Sequence, residues 1–187
     1  MSTDGIGLDQ RGYSLEEAFF EKENKRLLED MRKKNAAEKA LEALSQASGI
    51  RNFELLGQIH EIGLGPETLA ALSLVPLVEV AWADGSIRKK ERATILKAAR
   101  DSGLPEESSH QVLERWLTRR PDLTLLELWK EYVSELLKGS PEIADGLRRE
   151  VLGRAEEVAT TSRPVLGRKI SNSERRVLDD LARAFES

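Results

Sequence analysis

Four carboxylates lie at positions in the sequence where they could bind a cation. Glu79 is the single charge in the apolar run TLAALSLVPLVEVAWA, and Asp84 follows that run directly. Glu91 comes seven residues after Asp84 in the charged segment DGSIRKKERATIL, and Glu174 occupies the matching place in LGRKISNSERRVL. Carboxylate oxygens are the ligands that hard divalent cations prefer. Glu79, Asp84, Glu91 and Glu174 are therefore candidate metal ligands.

The same carboxylates also have an architectural interpretation. In both charged segments an isoleucine precedes a glutamate by four residues, in the pairs Ile87 with Glu91 and Ile170 with Glu174. A glutamate at the third position of a helix reaches back to the backbone N–H of the cap residue in a capping box. Ser171 supplies the other half of that box, whereas Arg88 has no acceptor atom to offer. The repeat predicts two similar helix-to-helix corners that bring the halves of the chain together.

Spacing argues against a calcium loop at the first corner. An EF-hand places oxygen ligands at alternate positions, but Arg88 and Lys90 occupy two of those positions after Asp84. A looser site would have to combine carboxylates from both corners, where basic residues compete for them. The sequence favours helix capping and ion pairs, with a divalent-cation site as the alternative. For Glu79, a buried carboxylate that needs a partner, the prediction is an ion pair with Arg168 or Lys169, and the alternative is a metal ligand.

No other residue pattern predicts catalysis or a cofactor. The chain has no cysteine, its two histidines, His60 and His110, are isolated, and neither phosphate-binding glycine motif occurs. The net charge is −4 and no basic stripe stands out, so nucleic acid is not an expected partner. Its three tryptophans are predicted to fill the core, or alternatively to line a groove. We expect a protein that is not an enzyme and has no small-molecule substrate.

The elements that position these residues are predicted to be helices alone. Leu, Ala, Glu, Lys and Arg dominate, and no segment alternates with period two for long enough to indicate a sheet. We predict an all-α, compact bundle of about seven to eight helices with a long N-terminal amphipathic helix. Pro76 is expected to kink or split the helix of residues 67–83 that carries Glu79.

Three regions follow from this pattern. Residues 1–13 are predicted to be a disordered terminus, residues 14–65 an N-terminal helical arm, and residues 66–187 a helical domain. The arm is expected to begin at Ser14 with a capping box to Glu17 and to end near Gly49. Its apolar residues form a broken stripe between charges, so residues 14–46 either dock on the domain or bind a protein partner or a second copy.

Three separated blocks resemble the bacterial TerB-like (tellurite-resistance TerB) family over roughly residues 66–186. VPLVEVAWADGSIRKKERATILKAARDSGL contains an Ala-Asp-Gly corner followed by an Ile-x-x-x-Glu helix start, as in that family. RWLTRRPDLTLLELWKEYVSELL and LGRKISNSERRVLDDLARAF look like its later helices and closing corner. The resemblance implies an all-helical fold, a role in stress resistance, acidic residues able to hold a divalent cation, and no enzymatic reaction.

Location and function complete the expectations. The first residues, MSTDGIGLDQRGYS, do not have the pattern of a secretory signal, and the longest apolar run is too short and too interrupted to span a membrane. We therefore expect a cytoplasmic, non-enzymatic interaction or stress-response module that binds its partner through the N-terminal helix. The alternative is a divalent-cation-binding regulatory protein that uses the acidic residues of the two corners.

Overall fold

The chain folds into helices because its abundant Leu, Ala, Glu, Lys and Arg all favour that conformation. The computed structural model describes residues 6–104, 107–161 and 170–186. These residues form α-helices and short 3-10 helices, without a strand. The α-helices are α1 (Ile6–Ser48), α2 (Phe53–Glu61), α3 (Val75–Trp82), α4 (Lys89–Asp101), α5 (Ser108–Thr118), α6 (Thr124–Gly139), α7 (Ala144–Thr161) and α8 (Asn172–Arg183). The 3-10 helices are Leu69–Leu74 and Pro141–Ile143. The predicted all-α class is confirmed.

Local signals in the sequence account for most helix ends. Gly49 and Gly63 follow α1 and α2 with φ angles of +72° and +84°, a backbone conformation that side chains with a Cβ rarely adopt. Asn52 caps α2, because its side chain accepts a hydrogen bond from the backbone N–H of Leu55 at 3.1 Å. Pro76 lies in the first turn of α3, where its missing N–H costs nothing. The predicted split at this proline is confirmed, and the preceding turns, Leu69–Leu74, are 3-10 helix.

The predicted beginning of α1 at Ser14 is wrong. The helix starts at Ile6, so residues 6–13 are helical rather than part of a disordered terminus, and residues 1–5 lie outside the described residues. A serine followed three residues later by a glutamate also occurs inside helices. Leu8, Gln10 and Arg11 favour helix, and extending an existing helix needs no new nucleation.

The chain divides into two compact units, and the boundary falls within α1 between Glu42 and Ala43. In the second unit, α7 packs against α3, α4 and α8, and α2 packs against α6. α3 lies at the centre, since all of its residues from Val75 to Ala81 are buried. The helix that carries Glu79 is therefore the one around which the others assemble.

The three tryptophans have different surroundings. Trp129 is fully buried and packs edge-to-face against Phe185, as the core-filling prediction requires. Trp82 and Trp116 are only half-buried, and the indole N–H of Trp82 donates to the backbone carbonyl of Trp116 at 2.8 Å. This bond joins the end of α3 to α5. Trp116 lines an open cavity, so the groove alternative describes it better than the core.

Candidate functional site

The two predicted corners meet in space. Asp84, just after α3, accepts hydrogen bonds on Oδ1 from the hydroxyls of Ser171 and Ser173, at the start of α8. The Ser171 bond measures 2.9 Å and joins residues 87 positions apart in the sequence. Asp84 also accepts from the guanidinium of Arg88 at 3.3 Å. The prediction that the corners bring the halves of the chain together is confirmed.

The buried side chain of Glu91 stabilises the first corner. Its carboxylate accepts from the backbone N–H of Arg88 at 2.8 Å and from the Arg88 guanidinium at 2.7 Å. The Glu91 side chain is only 1% exposed, whereas the Arg88 side chain is 45% exposed, so the ion pair joins a buried carboxylate to a partly solvated guanidinium. The glutamate half of a capping box is thus present, and Arg88 replaces the usual serine by an ion pair.

Glu174 has the same role at the second corner. Its carboxylate accepts from the backbone N–H of Ser171 at 2.7 Å, and the Ser171 hydroxyl accepts from the backbone N–H of Glu174 at 3.1 Å. The capping box is complete, as predicted, and Glu174 is 2% exposed. The Ser171 hydroxyl therefore has two roles: it caps α8, and it donates a hydrogen bond to Asp84 at the other corner.

The charge on Asp84 is stabilised by this junction. The hydroxyl of Ser173 contributes most to lowering the pKa of Asp84 below its ordinary value of 3.8. Partial burial opposes that effect, and the Ser171 hydroxyl and the Arg88 guanidinium reinforce it. Asp84 is thus ionised throughout the neutral range, with donors from both corners around it.

Glu79 lies apart from that hydrogen-bonded junction. It is 3% exposed, and within the described residues it makes neither a hydrogen bond nor an ion pair. Burial raises the pKa of Glu79 above its ordinary value of 4.5, and attraction to the Arg120 guanidinium partly offsets this rise. The predicted partners, Arg168 and Lys169, lie outside the described residues. Among the described residues, the cation whose charge acts on Glu79 is Arg120, just after α5.

The described residues offer no arrangement suited to a metal ion. Among them, no three His, Cys, Asp or Glu side chains are grouped so that they could hold one. Glu91 and Asp84 instead accept bonds from a guanidinium and from hydroxyls. The cation-binding alternative for Glu79, Asp84, Glu91 and Glu174 stays a prediction for experiment.

The two isolated histidines differ in their exposure. His60 is exposed at the end of α2, and His110 is half-buried in the first turn of α5. The Nε2 atom of His110 is buried and has no hydrogen-bond partner among the described residues. Ser109 beside it is fully buried and donates to the backbone carbonyl of Glu67 at 3.1 Å, which joins α5 to the turn before the 3-10 helix Leu69–Leu74.

Two features were missed by the reading of the sequence. Ser173 was not among the candidate residues, although the spacing of Ser171 and Ser173 in ISNSE places two hydroxyls at one helix start. The sequence analysis also assigned no binding role to the arginines of the segment RWLTRRPDLT. In the structure Arg115, Arg119 and Arg120 line one cavity, which an i, i+4 spacing of arginines followed by a helix start could have indicated.

The chain was compared with protein-family models, with curated proteins and with solved structures, and none of the three comparisons finds a match. They neither support nor oppose the resemblance to the TerB-like family. Within the described residues, no helix combines the length and the apolar character needed to cross a bilayer.

Proposed function

We propose that this protein is a non-enzymatic helical interaction module of TerB-like type, which serves a stress response and binds a partner helix through residues 14–46. The observation that supports this proposal most strongly is the exposure of large apolar side chains along α1. Phe20, Leu27 and Met31 are 63%, 49% and 61% exposed. Phe19 and Leu28 are exposed beside them.

The spacing of these side chains fits helix pairing. Phe20, Leu27 and Met31 are separated by seven and four residues, so they fall in one narrow stripe along the helix. Asn24 lies in the same stripe, and a buried asparagine often sets register and number of chains in a coiled coil. Charged residues of both signs flank the stripe, as they do in paired helices: Glu21, Lys22, Glu23, Lys25, Arg26, Glu29, Asp30 and Arg32.

The low stability of an exposed helix explains why a partner is expected. A helix of 43 residues that is exposed along most of residues 19–39 gains little from burial. Most helix stability in proteins comes from packing one apolar face. Pairing with a second helix would bury Phe20, Leu27 and Met31 and supply that stability, and a second copy of this chain offers such a helix.

The experiment measures the mass of the full chain in solution over a range of concentrations. We expect species larger than the monomer, and we expect Leu27→Glu to raise the dissociation constant at least roughly tenfold, because it places a charge in the apolar seam. Ala36→Glu is the matched control, since it adds the same charge on an exposed position at the opposite side of the helix.

A second measurement tests whether the partner is a different protein rather than a second copy of this chain. The full chain and its Leu27→Glu variant are each used to capture binding proteins under identical conditions. A chain that is monomeric at every concentration, and that captures the same proteins with and without Leu27→Glu, would contradict the proposal.

A further inference from the structure

A cavity at the junction of α5 and α6 is lined by an excess of positive charge. Its volume is about 500 Å³, within the range of small-molecule sites. Its lining includes Arg115, Trp116, Arg119, Arg120, Asp122 and Thr124. Three of these residues are arginines and one is an aspartate.

The guanidinium groups of these arginines are available to a ligand. Within the described residues, none of Arg115, Arg119 and Arg120 forms a side-chain hydrogen bond or an ion pair. Arg88, in contrast, is paired with Glu91 at 2.7 Å. The charges near the cavity do include Glu79, which lies close enough to Arg120 for their charges to interact. The three arginines outnumber the two carboxylates, Asp122 and Glu79, so the cavity keeps an excess of positive charge.

The start of α6 adds to this field. Asp122 accepts from the backbone N–H of Thr124 at 3.1 Å, so the aspartate is engaged in holding the helix start. Thr124 lines the cavity, and its hydroxyl has no partner among the described residues, so it can donate to a ligand. The first two residues of α6, Thr124 and Leu125, line the cavity, and the positive end of a helix dipole favours an anion.

The rest of the cavity wall is apolar. Ile62, Pro121 and Leu125 contribute aliphatic surface, and Trp116 contributes an aromatic one. A ligand that fits must therefore combine an anionic group with an apolar or ring-shaped part.

The number of donors favours phosphate over carboxylate. Guanidinium groups bind both through pairs of parallel hydrogen bonds, but a phosphate monoester presents three terminal oxygens and a charge of about −1.5 to −2. Three arginines can be satisfied by three oxygens, whereas a carboxylate offers two. We propose that this cavity binds a small phosphate monoester, with its phosphate among Arg115, Arg119 and Arg120 and its ring against Trp116.

The surroundings restrict where the phosphate can lie. A neighbouring cavity shares Ile62 and Thr124 with this one, but its charged lining residues are Glu61, Glu127, Glu131 and Asp180. A second phosphate would be repelled there. The ligand is therefore a monoester with one phosphate, oriented toward the arginines.

The proposal is independent of partner binding through α1 and is tested on the full chain by titration calorimetry with phenyl phosphate. We expect saturable binding, weakened roughly tenfold by Arg119→Gln or Arg120→Gln, because each removes a charge-assisted hydrogen-bond donor. Arg175→Gln is the matched control, since Arg175 is exposed on α8 away from the cavity lining, and it should leave the affinity unchanged.

Further probes separate this site from non-specific attraction. Inorganic phosphate and benzoate should each bind more weakly than phenyl phosphate, and Trp116→Phe should weaken phenyl phosphate without changing inorganic phosphate. Arg120→Lys, which keeps the charge but loses the planar fork, should give an intermediate affinity and guards against a variant that fails to fold.

Four results would overturn the proposal. They are the absence of phenyl phosphate binding, equal affinity in the Arg119→Gln, Arg120→Gln and Arg175→Gln variants, inorganic phosphate binding as tightly as phenyl phosphate, and much tighter binding of a phosphotyrosine peptide with the same dependence on the arginines. The last result would assign the cavity to a protein partner.

Discussion

Asp84 accepts a hydrogen bond from the hydroxyl of Ser171 at 2.9 Å, and this bond joins two corners of the chain that have the same construction. Each corner ends in a helix whose third residue is a buried glutamate, Glu91 or Glu174, bonded to the backbone N–H of the cap residue. Asp84, Glu91 and Glu174, three of the four candidate metal ligands, are therefore engaged in shaping the corners.

Removing either capping glutamate should destabilise the protein. Glu91→Ala and Glu174→Ala each leave a backbone N–H without its acceptor, at an expected cost of about 1–3 kcal/mol in the free energy of unfolding. Glu91→Gln and Glu174→Gln should recover much of that loss, because glutamine can also accept from the cap amide. Chemical denaturation measures the difference, with the exposed Glu61→Ala as control. Equal stability of the alanine variants and the control would contradict the capping role.

Asp84 should make the folded state sensitive to acid. Its pKa is lower in the folded state than the ordinary 3.8, chiefly through the Ser173 hydroxyl, so its contribution is fully present above pH 3.8. That contribution is lost as the pH falls through the lower, folded pKa. We therefore expect the stability difference between the protein and Asp84→Asn to shrink below pH 3.8. A difference that stays constant down to the acid transition would show that the charge on Asp84 has no such role.

The contribution of Glu79 to stability should depend on pH in the opposite way to that of Asp84. Burial raises the pKa of Glu79 above 4.5, so the folded state holds the proton more tightly than the unfolded chain does. The ionised Glu79 carboxylate destabilises the folded state. This destabilisation is absent below pH 4.5 and grows as the pH rises through the pKa of Glu79 in the folded state. Glu79→Gln should thus be more stable than the unaltered protein at neutral pH, and the two should converge below pH 4.5. Greater stability of the unaltered protein at neutral pH would indicate a favourable partner for the carboxylate.

Much of this arrangement was predictable from sequence, because local chemistry determines it. The Ser171 and Glu174 capping box, the split at Pro76 and the helix ends at Gly49 and Gly63 each depend on residues within a few positions of each other. A capping residue or a proline acts on its own helix, whatever the tertiary context.

What the sequence did not reveal depends on residues far apart in the chain. Ser173 donates to Asp84 across 89 positions, and Arg120 acts on Glu79 across more than one helix. Periodicity places a residue on a face of a helix but does not say which face of another helix it meets. The start of α1 was missed for a local reason, because a serine and a glutamate three apart also occur inside a helix that has already begun.

Calcium should not stabilise this protein. A ligand that binds only the folded state must raise the melting temperature, so millimolar calcium tests for a cation site without any knowledge of its function. We expect no change, because Glu91 accepts from Arg88, and Asp84 accepts from Arg88 and the two serines. A rise in melting temperature that disappears when Asp84→Asn is combined with Glu91→Gln would establish the cation-binding alternative.

The most direct test of the central claim is a double-mutant cycle between Asp84→Ala and Ser173→Ala, measured as the free energy of unfolding. Ser173 is the better partner, because Ser171 also caps α8 and its loss would mix two effects. If the corners hold the chain together through this contact, the two substitutions should be non-additive by about 0.5–1.5 kcal/mol. Effects that add to within about 0.3 kcal/mol would show that Asp84 and Ser173 act independently, and would contradict the claim that the two corners are joined through this contact.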